Sequence, residues 1–474
     1  MSPGSRVTRR QEEPRSRRGP LRLLPAAFTD HVQRPALLAW LGVGLALRLL
    51  LMPFTVSADL LAVYWRSHLI AHEGEVFSSY LVNMGAHYVH AASLRLFGWM
   101  LPDPDVIWTD PWWWSDSSAL SSQVQLEIST AAWGPQALFA LKVPYLLADL
   151  AAGLIILAIV ATAGAALARR AWIFWMLSPI GLYATYAFGR YEVLAVVLVV
   201  AALWAVERER PWWGAILLGI AVTMRGYPLL LVPLFALLSV RGLARQAAWA
   251  ALCVAPFGLV MATNRLLAGT VGELATLQDF HTGTTFLAYT VPVDGTGQFY
   301  VFIAFALAVY GLVAARVWGW FPSAGAGDPM SLPASGRRPV DDLWVWLLVL
   351  HAGMFALATF SAHYFAWFAP FVALALARRP QWRGVLPLHL LQVVVVLAIA
   401  DTLGGPGTLL GLFEPVDPQL ATSLPNLREA FLTSGRAEEV VGLLRTAFTV
   451  LTVLLVWPAV RELAADATEP RRSV

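Results

Sequence analysis

"LSPIGLYATYAFGRYEVLAVV", Leu177 to Val197, sets an arginine and a glutamate two positions apart inside an apolar stretch that runs from Ala171 to Val206. A bilayer penalises such residues by roughly 3 kcal/mol each at its centre, so they belong at an interface, in a cavity or at a working site. The stretch reads as a tight helical hairpin with Arg190 and Glu192 at its outer end. Two positions apart on a helix, the two side chains do not face each other. Either both snorkel into the headgroups, or both line a cavity.

The surrounding chain settles the class. With 58% hydrophobic and 13% charged residues and 21 Trp among 474 residues, a soluble fold would expose far too much apolar surface; the chain reads as an all-α polytopic membrane helix bundle. The single cysteine, Cys253, excludes an intrachain disulfide and a cysteine-based zinc site. The net charge of +3 is small, and the basic excess sits in tails and short loops, a pattern of membrane orientation rather than of nucleic-acid binding.

Residues 1–34, rich in Arg, Pro, Ser and Gly, read as a disordered basic cytoplasmic tail. Pro35 to Phe54 then reads as a signal anchor. Counting apolar stretches near the spanning length gives about twelve helices: Pro35–Phe54, Leu138–Val160, Ala171–Phe188, Tyr191–Val206, Trp212–Met224, Gly226–Val240, Ala247–Arg265, Phe299–Val317, Leu343–Phe360, Tyr364–Ala377, Val385–Asp401 and Val440–Val460. Arg169/Arg170, Arg208/Arg210, Arg241/Arg245, Arg337/Arg338, Arg378/Arg379/Arg383 and Arg471/Arg472 then fall on the side of the N-terminal tail. This places both termini in the cytoplasm and the protein in the plasma membrane. The domain plan is a transmembrane unit over 35–460, with a first extracytoplasmic loop over 55–137, and a short cytoplasmic tail over 461–474.

That loop is too long to be passive. "ADLLAVYWRSHLIAHEG" has the periodicity of a helix lying along the interface, whereas Tyr80 to Met100 is a weaker amphipathic stretch whose Asn83, His87, His90 and Arg95 argue against a span. On the same side the topology gathers Arg190, Arg225 and Tyr227 of "MRGYP", Lys142 near the start of the second span, and His363 and Tyr364. A cationic cluster at one membrane face suits an anionic headgroup. Asp149, two turns from Lys142 on the same helical face, suits helix packing as well as chemistry.

"LKVPYLLADL" (Leu141–Leu150), the opening stretch, and "GIAVTMRGYPLLLVP" (Gly219–Pro233), in that order and with Asp59 just after the first span, resemble the GT-C glycosyltransferases. The nearest group resembles the bacterial polyprenyl-phosphate-mannose-dependent mannosyltransferases. The resemblance covers the first half to two thirds of the chain, and "HYFAWFAPF" is similar to a late-helix pattern of the family. It implies transfer of a sugar, mannose first, from a polyprenyl phosphate to a glycan, glycolipid or protein acceptor at the outer face. It also implies Asp59 as the general base. The leaving lipid phosphate then needs fixed cations, with Arg225 the first candidate ahead of Arg190 and His363, and Lys142 and Tyr227 in support. Glu192, Tyr364 and Trp113 are the candidates for acceptor or sugar. The family pattern more often reads Gly-Gln-x-Asp where this chain has Gly189, Arg190, Tyr191 and Glu192, and Lys where Arg225 stands; both departures bear on sugar and acceptor.

For Asp59 the alternative is a solvated helix cap in "SADLL", and for "DPWWW" (Asp110–Trp114) an interfacial anchor. The carboxylates Asp103, Asp105, Asp110 and Asp116 could bind a divalent cation, but their irregular spacing matches no calcium loop, so the expectation is no cofactor, with a divalent cation as the alternative. No Walker-type loop or GxGxxG after a strand occurs, so no nucleotide-binding domain is expected. The rival class is a secondary transporter or lipid flippase, which would place its polar groups near mid-membrane.

Overall fold

The computed structural model describes residues 34–76, 83–101, 125–268, 289–293, 297–320, 338–404, 408–421, 429 and 435–468. The tail over 1–33 and most of the acidic part of the first loop, including Asp103, Asp105, Asp110, Trp113 and Asp116, lie outside the described residues.

Each of the twelve predicted segments falls on helix. In chain order, with the two loop helices α2 and α3 added, the helices are α1 (Arg34–Phe54), α2 (Ala58–His68, running into a π-turn over Leu69–Glu73), α3 (Met84–Phe97), α4 (Gly134–Val160), α5 (Ala165–Leu177), α6 (Glu192–Glu207), α7 (Pro211–Met224), α8 (Val232–Ser239) and α9 (Leu243–Ala268). They continue as α10 (Val301–Trp318), α11 (Leu343–Leu357), α12 (Ala369–Arg378), α13 (Val385–Gly404) and α14 (Ala437–Thr468). One antiparallel hairpin, β1 (Thr290–Val293) with β2 (Gly297–Tyr300), pairs Thr290 with Tyr300 before α10. The fold is an all-α polytopic membrane bundle.

Seven of the described helices are long and apolar enough to cross a membrane, fewer than the twelve expected. The remaining predicted spans are short or broken, and proline accounts for the breaks. Helix α5 stops at Leu177 because Pro179 has no N–H to continue the ladder; the chain resumes as one turn, Pro179–Leu182, capped by Ser178, and a π-turn, Tyr183–Ala187. Likewise Pro370 offers no N–H to the Ala366 carbonyl, and the chain before α12 is a 3-10 helix over Ala362–Phe368. The last helix, α14, continues to Thr468, beyond the predicted end at Val460.

The short helices and Pro339–Leu357 lie toward the centre, and the long helices α9 and α14 at the rim. α6 packs between α4 and α7, and α12 packs on α5. The most apolar stretch of α9 is only 11% buried and that of α14 only 17%, against 83% for Pro339–Leu357, so the outer faces of α9 and α14 are the ones left for lipid. The loop helices α2 and α3 differ from the expected interfacial helix. Leu60, Leu61, Tyr64, Arg66 and Ser67 are all buried, and α3 closes on α7 so tightly that a Cβ on Gly85 would meet the Thr223 hydroxyl.

An ion pair holds the broken hairpin to the bundle. Arg48 of α1 donates from Nε to Asp149 Oδ2 of α4 at 2.6 Å, and from its Nη atoms to the carbonyls of Met176 (2.7 Å) and Trp175 (3.3 Å) at the end of α5. The Tyr186 hydroxyl donates to the same carboxylate oxygen at 2.7 Å. The Met176 and Trp175 carbonyls at the Pro179 break are thus bonded by a buried guanidinium, the Trp175 carbonyl also accepting from the Ser178 N–H at 3.5 Å. Asp149 has a structural role here, the packing alternative of the sequence reading.

Candidate active site

The chain leaves α1 through Thr55, Val56 and Ser57, and this linker is tied to the end of the π-turn. Lys142 of α4, fully buried, donates from Nζ to the Thr55 carbonyl (2.6 Å) and hydroxyl (2.7 Å). The Thr55 hydroxyl lies 2.7 Å from the Tyr186 carbonyl, and Ser57 Oγ donates to the Phe188 carbonyl at 2.6 Å. Gly189 turns the chain with φ +70°, where a side chain is strained, and a Cβ there would also press on Leu60. This close approach sets Arg190 beside the first turn of α2.

Ser57, rather than Asp59, is the N-cap of α2: its Oγ accepts from the Leu60 N–H at 3.3 Å. Asp59 is thereby free of the capping duty that was its alternative reading, and its Oδ2 lies 3.4 Å from Arg190 Nε. The Asp59 side chain is 41% exposed and that of Arg190 17%, so the pair stands at the mouth of the site. The Arg190 guanidinium also lies over the Tyr191 ring, 5.3 Å from its centroid.

Below the mouth lies a second pair, and it is sealed. Glu192, at the first position of α6, is 0% exposed, which overturns the snorkelling alternative for this residue. Helix α7 ends at Met224, and the extended backbone of Arg225 (φ −155°, ψ 148°) carries its side chain to Glu192. Arg225 Nη2 lies 2.8 Å from Glu192 Oε1, Nε donates to Oε2 at 3.2 Å, and Nη1 donates to the Tyr191 hydroxyl at 3.0 Å. Trp367 Nε1 donates to Glu192 Oε2 at 2.5 Å. The positive end of the α6 dipole lies at the same carboxylate.

Aromatic rings pack around this pair. In a 3-10 helix residues i and i+3 eclipse, so Tyr364 and Trp367 stack at 4.8 Å with planes 13° apart, and Tyr227 stacks on Trp367 at 3.9 Å. The Arg225 guanidinium lies over Tyr364 (4.8 Å) and Tyr191 (5.2 Å). His363 stacks on Phe188 at 4.7 Å, with Nε2 3.9 Å from Glu192 Oε1. Burial, then the charges of Arg190 and Arg225, push the His363 imidazole well below its ordinary value. The ring is neutral at physiological pH and adds no fixed positive charge. The segment 408–421 forms a rim, with the Val56 N–H donating to the Leu412 carbonyl at 2.9 Å and the Tyr183 hydroxyl to the Thr408 carbonyl at 2.8 Å.

The structure therefore brings Asp59, Arg190, Glu192, Arg225, Tyr227, His363 and Tyr364 into one cluster at one end of the bundle. Lys142 lies under its floor, committed to Thr55. Residues 128–336 match the family model for Glycosyltransferase family 87. The match indicates a membrane glycosyltransferase. The matched segment supplies Lys142, Arg190, Glu192, Arg225 and Tyr227, whereas Asp59 comes before it and His363, Tyr364 and Trp367 after it. No curated protein and no solved structure matches this chain.

Three contributors escaped the sequence reading. Tyr191 sat inside the quoted motif and Trp367 inside "HYFAWFAPF", both as unremarked aromatic residues. Arg48 was a single charge in an otherwise apolar span, and that isolation was its signal. Among the described residues no three His, Cys, Asp or Glu side chains gather as a metal site.

Proposed function

We propose that the protein transfers a sugar, mannose first, from a polyprenyl phosphate to a hydroxyl acceptor at the extracytoplasmic face of the plasma membrane, with Asp59 as general base. The observation that carries this reading is a half-exposed carboxylate and a guanidinium side by side, next to a buried cluster of charged and aromatic side chains. The acceptor oxygen attacks the anomeric carbon, the bond from that carbon to the phosphate oxygen breaks with its electron pair, and the acceptor proton passes to Asp59. Charge builds on the departing phosphate, and Arg190 is the cation placed to meet it. Arg225, with its fork held by Glu192 and its faces by two rings, positions the pocket instead. Glu192 and Tyr364 shape the space for sugar and acceptor from below.

The test is transfer by purified protein in lipid from a radiolabelled polyprenyl-phosphate mannose, with nucleotide sugars in a parallel arm. The expected result is consumption of the lipid-linked donor alone. Consumption of the nucleotide sugar, or passage of a lipid or solute across proteoliposomes without sugar transfer, would overturn the reading.

A further inference from the structure

The two arginines of the site differ in a way that bears on how the base is switched on. Arg225 has its Nε and Nη2 against Glu192, its Nη1 on Tyr191 and rings over its plane. Arg190 has one contact with a carboxylate, at 3.4 Å and without hydrogen-bond geometry; the 2.8 Å contact of Arg225 Nη2 also lacks that geometry, but Arg225 is held besides by its Nε and Nη1 bonds. A carboxylate held this loosely and 41% exposed is held weakly, because water screens it. Lys142 is committed to Thr55, and His363 is neutral. Among the described residues of this cluster, an anionic headgroup therefore meets one cation with a loose partner, and that partner is Asp59.

We infer that the donor phosphate and Asp59 compete for Arg190, so that binding of the donor releases the carboxylate to act as base. A phosphate takes the guanidinium fork through two parallel N–H bonds; it then occupies the edge where Asp59 sits and repels the neighbouring carboxylate. Before donor binding, Asp59 Oδ2 lies against Arg190 Nε. After exchange, the carboxylate has lost that partner and is open to the acceptor hydroxyl. The inference deepens the proposed function and rests on it.

The experiment measures binding, not turnover. Decaprenyl phosphate carrying no sugar is titrated into full-length protein in nanodiscs, using the wild type, Asp59→Asn, Arg190→Gln and the double variant. Asp59→Asn is expected to tighten binding by about threefold, the change that corresponds to a loose, partly exposed pair, and Arg190→Gln to weaken it. In the Arg190→Gln background, Asp59→Asn is expected to tighten binding by less than it does in the wild type, because only the repulsion between carboxylate and phosphate is left to relieve.

Equal tightening in both backgrounds would reduce the effect to plain repulsion between carboxylate and phosphate and overturn the exchange. Unchanged affinity in Asp59→Asn would overturn it as well, as would failure of the wild type to bind the probe. Because sugar transfer is assayed separately, the two ideas part cleanly. Transfer with an additive binding cycle leaves the glycosyltransferase reading standing without the exchange, and a coupled cycle without transfer does the reverse.

Discussion

Arg225 and Glu192 meet edge to edge, with Nη2 2.8 Å from Oε1 and Nε 3.2 Å from Oε2, on a carboxylate that is 0% exposed. Replacing both partners of such a pair is often mild, whereas removing one strands the other charge. The pair joins the start of α6 to the end of α7, and through Trp367 it reaches the 3-10 helix before α12. Its integrity therefore governs the floor on which the exposed pair Asp59 and Arg190 stands.

Glu192→Ala leaves the Arg225 guanidinium buried without a counter-charge and the Trp367 N–H without an acceptor. The expected loss is about 3–5 kcal/mol, read as a lowered unfolding midpoint of the purified protein. Glu192→Gln retains an acceptor for Trp367 and should fall between this variant and the wild type. Midpoints equal to the wild type in both would show that the pair is not structural.

Asp59→Asn keeps the shape of the side chain and leaves the Ser57 cap intact. Transfer should fall by roughly two to four orders of magnitude while the unfolding midpoint stays put. Turnover within a few-fold of the wild type would remove Asp59 from the role of base.

Gly189→Ala places a Cβ at φ +70° and against Leu60. The left-handed conformation alone costs about 1–2 kcal/mol, and relief requires moving the very turn that carries Arg190. A raised donor KM is expected, larger than the change in acceptor KM. Equal effects on both would point to general loosening instead.

His90 on α3 is 0% exposed; its Nδ1 bonds the Ala86 carbonyl, and its Nε2 lies 2.7 Å from the Tyr145 hydroxyl. Burial pushes its imidazole from about 6.5 down to about 4. The unfolded chain therefore binds more protons than the folded one between these values. Stability is full above pH 6.5 and is lost as pH falls toward 4, by about 1.4 kcal/mol per pH unit from this residue. A His90→Gln variant should show a shallower fall in unfolding midpoint between pH 6.5 and 5 than the wild type; parallel curves would count against a neutral buried His90.

The parts of the fold legible from sequence were those written in long apolar runs. The helices α1, α4, α9, α10, α13 and α14 announce themselves by hydropathy, and all of the shorter predicted segments also proved helical. What hydropathy cannot register is interruption: Pro179 and Pro370 change the hydrogen-bond pattern without changing apolar content. The same holds at the site. Asp59, Arg190, Glu192 and Arg225 were visible as charges out of place, yet their pairing was not, because it joins residues 131 and 33 positions apart. Local spacing could say that Arg190 and Glu192 do not pair with each other. Only the folded hairpin assigns each its partner.

The Arg48 bridge has a consequence for biosynthesis. Asp149 follows Arg48 by 101 residues and the Met176 carbonyl by 128. At ribosomal rates of roughly 5–20 residues per second, the first helix waits about 5–20 s before its counter-charge is made. Through that interval Arg48 lacks both the carboxylate and the hairpin carbonyls that hold it in the finished bundle, and its bond set closes only once the broken hairpin has been made.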